Sequence, residues 1–253
     1  MRERAEHWAK YTALPPRSAA IEYNGAMSLD LTRIRALCFD IDGTLSDSDD
    51  YYADRLCRWI RYAPFVTDPA RTARRLVTWM ESPANALLGL ADSSGLDNGI
   101  ISMMDWIQRH RKRHARRLPV MAGADDLLKK IHGRYPLAVV SARDENSAMA
   151  FLEQSNLVQH FDAIVTALSA RHTKPYPDPI RLAAQRMGVA PDACVMIGDT
   201  GVDIRAGRAA GAQTVGVLCG YGETDELQSQ GADLILRTTA DLDGALLGSR
   251  QQM

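Results

Sequence analysis

Residues 37–50 read LCFDIDGTLSDSDD. The stretch begins as a buried strand would, with Leu37, Cys38 and Phe39, and Ile41 prolongs the apolar run. It ends in Asp40 and Asp42, followed at once by Gly43 and Thr44. In an extended chain, residues two apart project to the same side, so the two carboxylates face one place and repel each other. A divalent cation would justify them, because a hard ion such as Mg²⁺ takes oxygen ligands and commonly uses one or two carboxylates with phosphate and water. An exposed turn is the plain alternative, since Asp-Gly is a common turn signal.

Further short apolar runs follow at 137–141, 163–166, 193–197, 214–218 and 234–236. Most are continuous and rich in Val and Ile, as expected of parallel strands buried on both faces. The segments between them look helical. DDLLKKIHGR reaches Gly133, and Pro136 then blocks continuation; DENSAMAFLEQSN and DIRAGRAAGA are similar in character. This alternation predicts an α/β fold with a doubly wound, Rossmann-like parallel sheet. Right-handed crossovers would bring the strand C-termini to one edge.

The alternation is interrupted once. Between the first strand and Leu137, helical spacing links Leu56, Trp59 and Ile60, then Leu76, Trp79 and Met80, then Ile100, Met103, Met104 and Ile107. These stripes read as the core of a small helical cap domain inserted over 46–118. The core domain is then 31–45 together with 119–253. Residues 1–30 have little periodicity and read as a flexible N-terminal extension; Met27 is a second plausible start.

Composition limits the function classes. The chain has 253 residues, 46% of them hydrophobic, and a formal net charge of −1. That balance points to neither nucleic acid nor a membrane surface. No apolar run approaches the roughly 18 to 20 residues of a membrane span, and the N-terminus lacks the apolar region of a secretory signal. Cys38, Cys57, Cys194 and Cys219 have no metal-ligand spacing and read as buried thiols in a reducing, cytoplasmic compartment.

A second acidic cluster supports the metal reading. VMIGDTGVDIRAG places Asp199 just past another buried run, with Asp203 four residues on. Gly198 and Gly201 keep this loop slim. LAVVSA ends in Ser141, whose hydroxyl and neighbouring backbone N–H suit an anion's oxygens, and TKPYPDP contributes Lys174. A cation beside carboxylates and a metal offers charge neutralisation to a phosphoryl group. Each residue alone has a bland reading; Lys174, for one, would be a solvated lysine.

Together, DIDGTL, Ser141, Lys174-Pro175 and GDTGVD, in that order, resemble the four motifs of the haloacid dehalogenase-like hydrolase superfamily. The resemblance runs from about Ala36 to the last strand. It is to the phosphoglycolate phosphatase-like branch, which carries a helical cap after the first strand. It implies Asp40 as a nucleophile that forms an aspartyl-phosphate, and Asp42 as the general acid and base. It implies Mg²⁺ on the Asp40 carboxylate, the Asp42 backbone carbonyl and Asp199. The phosphate would be held by Ser141, the Ala142 backbone N–H, Lys174 and the Gly43-Thr44 turn, with Asp203 in support. Ala142 departs from the pattern, since many relatives have Asn there.

The expected function is a Mg²⁺-dependent phosphatase acting on a small phosphorylated metabolite, as a monomer or homodimer. Asp42 argues against dehalogenation and ion pumping, where that position differs. A sugar phosphomutase shares the cap type and both aspartates. A non-catalytic phosphate-binding module is the alternative from a different class. The basic run from Arg109 to Arg117 reads as a solvated helix end or as a steering patch for anions, and Tyr51, Tyr52 and Arg55 as substrate-facing or hinge-packing residues.

Overall fold

The computed structural model describes residues 28–47 and 118–247. Cys57, Tyr51, Tyr52, Arg55, the run 109–117 and nearly all of the segment read as a cap lie outside the described residues, as does the N-terminal stretch up to 27.

The described residues form one parallel sheet. Its strands are β1 (Ala36–Phe39), β2 (Leu137–Val140), β3 (Ala163–Val165), β4 (Cys194–Gly198), β5 (Gln213–Val217) and β6 (Leu234–Leu236). The spatial order is β3-β2-β1-β4-β5-β6. All six expected runs are strands, within a residue or two of the expected ends. The helices are α1 (Ala124–Ile131), α2 (Glu145–Gln154), α3 (Asp178–Met187), α4 (Gly201–Ala210), α5 (Thr224–Ser229) and α6 (Leu242–Leu247).

Strand periodicity sorts the core into two layers. Leu37 and Phe39 of β1 join a cluster with Leu127, Leu128 and Ile131 of α1, Phe151 and Leu152 of α2, and Leu242 of α6. Ala36 and Cys38 point to the opposite face, against Ile180, Ala183 and Ala184 of α3 and Ala206 of α4. β1 is therefore covered on both faces, which is why it reads as an unbroken apolar run. A truncation such as Leu128→Ala, at 0% exposure, would cost about 2–5 kcal/mol.

Local chemistry sets the helix ends. The Asp144 side chain caps α2 by accepting from the backbone N–H of Ser147 at 3.0 Å. α1 has Asp125 and Asp126 in its first turn and Lys129 and Lys130 in its last, matching the helix dipole. Gly133, at φ 79°, turns the chain after α1, as the sequence suggests. Asp30 is fastened to the domain, because its N–H donates to Gln213 Oε1 at 2.6 Å and its carbonyl accepts from Gln213 Nε2 at 3.1 Å.

The chain order reverses between β1 and β4. Leu37 pairs with Leu137 on one side and with Val195 on the other. In open parallel sheets ligands bind beyond the strand C-termini at such a switch point. Asp40 follows β1 there, and Asp199 follows β4.

The described residues on either side of 48–117 meet near this edge. Asp47 N–H donates to Pro119 O at 2.9 Å and Met121 N–H to Leu45 O at 2.8 Å, with an antiparallel bridge between Ser46 and Val120. Residues 45–47 and 119–121 thus run side by side as a short two-stranded ribbon.

Candidate active site

Asp40 is fixed by its backbone N–H, which donates to Ile197 O at 2.9 Å and so joins β1 to β4. The residue is 7% exposed, and its carboxylate lies 2.8 Å from Lys174 Nζ. The same ammonium lies 2.6 Å from Asp203 Oδ1. Lys174 is thus a buried cation between two buried carboxylates. Burial alone would lower its pKa, but the charges of Asp203 and Asp40 outweigh that and hold it raised. Asp40 is pushed up to about 7, first by burial and then by the charges of Asp203 and Asp42, against the lowering effect of Lys174.

Asp203 has a second set of partners. Its Oδ2 accepts from Thr200 N–H at 3.2 Å and from Thr200 Oγ1 at 2.7 Å, closing a capping box at the start of α4. One carboxylate therefore anchors both the helix and the lysine. Gly198 makes room for it, because a Cβ at that position would overlap the Asp203 carboxylate.

Asp199 is 1% exposed, and its Oδ2 accepts from Tyr221 N–H at 2.9 Å. Gly220 and Gly222 flank Tyr221, and a Cβ on either would run into Asp199. This loop after β5 seats Asp199, yet it had no place among the expected site residues. The signal was present as Gly-Tyr-Gly at the end of an apolar run, on the same sheet edge.

Asp40, Asp199 and Asp203 each offer a carboxylate oxygen, all within 4.8 Å of one another. Such an all-oxygen, anionic donor set suits a hard divalent cation, and it contains no thiolate or imidazole to favour a softer one. The residues fit the ion.

Ser141 is 4% exposed, and its N–H donates to Val165 O at 2.9 Å. Ala142 is exposed beside it. Gly43 N–H donates to Ser46 O at 3.0 Å and Thr44 N–H to Ile41 O at 3.3 Å, so both close the turn after β1. Gly43 has a φ of 69°, a conformation that glycine adopts without strain. Thr44 is fully buried, and its carbonyl accepts from Thr239 Oγ1 at 2.7 Å.

Asp42 is half-buried and does not join the three-carboxylate cluster. Its two oxygens accept from Arg143, Oδ2 from Nε at 2.7 Å and Oδ1 from Nη2 at 2.5 Å. Arg143, like the loop around Tyr221, was not among the expected site residues. Nothing local in the sequence links positions 42 and 143.

The haloacid dehalogenase-like hydrolase family description matches residues 37–217. The chain belongs to the haloacid dehalogenase-like hydrolase family, and it is a phosphatase-type enzyme of the phosphoglycolate phosphatase-like branch. It is similar to the phosphoglycolate phosphatase of Escherichia coli K12, 26% identical over 249 residues, covering 84% of this chain and 92% of that protein. The corresponding protein of Neisseria meningitidis serogroup A is 31% identical over 212 residues, covering 81% and 89%. Among solved structures, a haloacid dehalogenase-family hydrolase from Deinococcus radiodurans, with bound phosphate and sodium, superimposes with a TM-score of 0.67 at 23% identity, covering 86% and 97%. A Thermotoga maritima structure described as a β-phosphoglucomutase gives 0.60 at 20% identity, covering 87% and 99%. These two share the fold.

Proposed function

We propose that the protein is a Mg²⁺-dependent phosphatase that hydrolyses a small phosphorylated metabolite through an aspartyl-phosphate. The observation that carries this reading is the sharing of Lys174 between Asp40 and Asp203, with Asp199 alongside at the neighbouring strand end. A buried carboxylate with a cation at 2.8 Å is held in one orientation and can approach a phosphate dianion with its charge partly neutralised.

In this mechanism Asp40 attacks phosphorus, and the leaving alcohol takes a proton from Asp42. Water then attacks the aspartyl-phosphate while Asp42 accepts its proton. Ser141 Oγ, the Ala142 N–H and Lys174 hold the phosphoryl oxygens. Asp40, the Asp42 carbonyl and Asp199 would hold Mg²⁺, with Asp203 supporting Lys174. Bound there, the ion supplies charge neutralisation and orientation. The inserted segment 46–118 acts as a cap that closes over the site and selects the leaving group. The described cysteines are free thiols, two of them fully buried, which supports a reducing cytoplasmic setting.

Phosphoglycolate heads the substrates to test, because relatives carry that name. The experiment is phosphate release from a panel of phosphomonoesters, with Mg²⁺ and after chelation. Metal-dependent release without any bisphosphate activator supports a phosphatase. Release that requires such an activator, with isomerised sugar phosphate as product, would assign a mutase. No turnover of any ester, an aryl phosphate included, would leave a binding module.

A further inference from the structure

The mechanism has no assigned role for Arg143, yet this side chain is among the most firmly held at the site mouth. It sits two residues beyond Ser141, on the loop between β2 and α2. Its own N–H donates to Ser141 Oγ at 3.2 Å, and its carbonyl accepts from Ala167 N–H at 2.9 Å. The guanidinium carbon lies 5.4 Å from the centre of the Phe151 ring, so α2 supports its face. The side chain is 13% exposed. Its fork then meets both oxygens of Asp42 at 2.7 and 2.5 Å.

We infer that Arg143 is the positioning residue for Asp42 and sets where the acid and base of the reaction stands. This inference rests on the proposed function. An aspartate side chain turns freely about two bonds, and proton transfer requires its oxygen to reach the leaving oxygen at about 2.6–3.2 Å. A bidentate guanidinium fixes the carboxylate plane as well as its location, which a point charge does not. When protonated, the Asp42 carboxyl keeps acceptor capacity beside its O–H donor, so the fork can steer it while the proton passes to the leaving oxygen. The fork arises from the phosphate-binding loop itself. The residue that grips phosphate and the residue that moves protons are therefore set by one short segment, 141–143.

A role through Asp42 has a kinetic signature that simple damage to the site lacks. An aryl phosphate has a leaving group that needs little protonation, whereas an alkyl phosphate depends on it. Displacing a catalytic group by about 1 Å costs on the order of 100-fold. In Arg143→Gln, phosphorylation of Asp40 by an alkyl phosphate should slow by about 100-fold, while phosphorylation by p-nitrophenyl phosphate should change by no more than about threefold. Water activation also needs Asp42, so rapid acid quench and intact-mass measurement should find phosphorylated enzyme accumulating with the aryl ester. Arg143→Lys keeps the charge but not the fork, and should show the same selective loss. Thermal melting and Mg²⁺ titration of both variants, run alongside, report fold and metal site.

Equal losses on the two esters with no accumulated adduct, in a folded variant that binds Mg²⁺, would overturn the role of Arg143. So would full recovery in Arg143→Lys, which would reduce the contribution to charge. A faster alkyl reaction in Arg143→Gln would overturn it too, by making the pair a brake. If the unaltered enzyme hydrolyses neither ester, the phosphatase reading itself fails, and that outcome is distinct from all of these.

Discussion

Lys174 and Asp203 meet at 2.6 Å in the interior, with residue exposures of 3% and 0%. Breaking a buried pair by removing one partner leaves an uncompensated charge and costs about 3–5 kcal/mol. Lys174→Met should therefore lose that much stability in urea denaturation as well as its turnover. Asp203→Asn should be affected twice, through Lys174 and through the weakened capping box at Thr200.

The two aspartates after β1 should fail differently. Asp40→Asn removes the proposed nucleophile, so turnover should be lost and no phosphorylated protein should form with any substrate. Asp42→Asn retains the nucleophile and its backbone carbonyl, so it should accumulate the phosphoryl adduct with an aryl phosphate. Intact mass after acid quench checks both. An adduct on Asp40→Asn, or unchanged turnover in either variant, would reject the assignment.

Gly220→Ala tests the loop that seats Asp199. The added methyl group would occupy the space of the Asp199 carboxylate. Mg²⁺ affinity should fall by about 10- to 100-fold, the usual cost of disturbing a ligand's support, with a smaller change in melting temperature. The activating Mg²⁺ concentration gives the readout.

His160 gives the fold a pH dependence remote from the catalytic residues. It is 7% exposed, both ring nitrogens lack a hydrogen-bond partner among the described residues, and the His132 ring packs edge-on at 5.4 Å. Its pKa is lowered by burial and then by His132, with Lys129 acting the same way and Asp125 against. The unfolded chain therefore binds the proton more tightly than the native state, and stability falls as pH drops through and below about 6.5. Melting temperatures between pH 5 and 8 should show this loss. His160→Phe should flatten that part of the profile.

Replacing 48–117 with a short Gly-Ser linker should leave a folded core, because Asp47 and Pro119 are already hydrogen-bonded at the point of exit and return. The shortened protein should still hydrolyse an aryl phosphate while losing discrimination among metabolites. Circular dichroism and the substrate panel measure the two effects. Complete unfolding would refute an independent cap.

The sheet was legible in the sequence because its strands are buried on both faces, so composition alone marks runs such as 137–140 and 194–198. The carboxylates and Lys174 were legible because they stand directly at strand ends or in a strand-following loop. Contacts between distant segments were not. The fork of Arg143 on Asp42 joins two loops on neighbouring strands, and the seating of Asp199 by Tyr221 N–H uses a backbone group that carries no residue identity. α3 was not singled out, because Pro177 and Pro179 at its start resemble loop punctuation, although proline suits a helix's first turn.

The central place of β1 also governs how the chain is made. β1 is among the first core segments to leave the ribosome, yet its two neighbours are β2 and β4, which begin at Leu137 and Cys194. At about 5–20 residues per second, the second edge of β1 waits on the order of ten seconds for its partner. Throughout that interval Ala-Leu-Cys-Phe is an apolar strand with unpaired backbone groups, a template for pairing with another chain. β4, β5 and β6, by contrast, are neighbours in both sequence and space and assemble soon after they emerge. During synthesis the first-made strand waits longest for its second neighbour, so the nascent protein's exposure to aggregation is concentrated in the short segment that leads into Asp40, the proposed nucleophile.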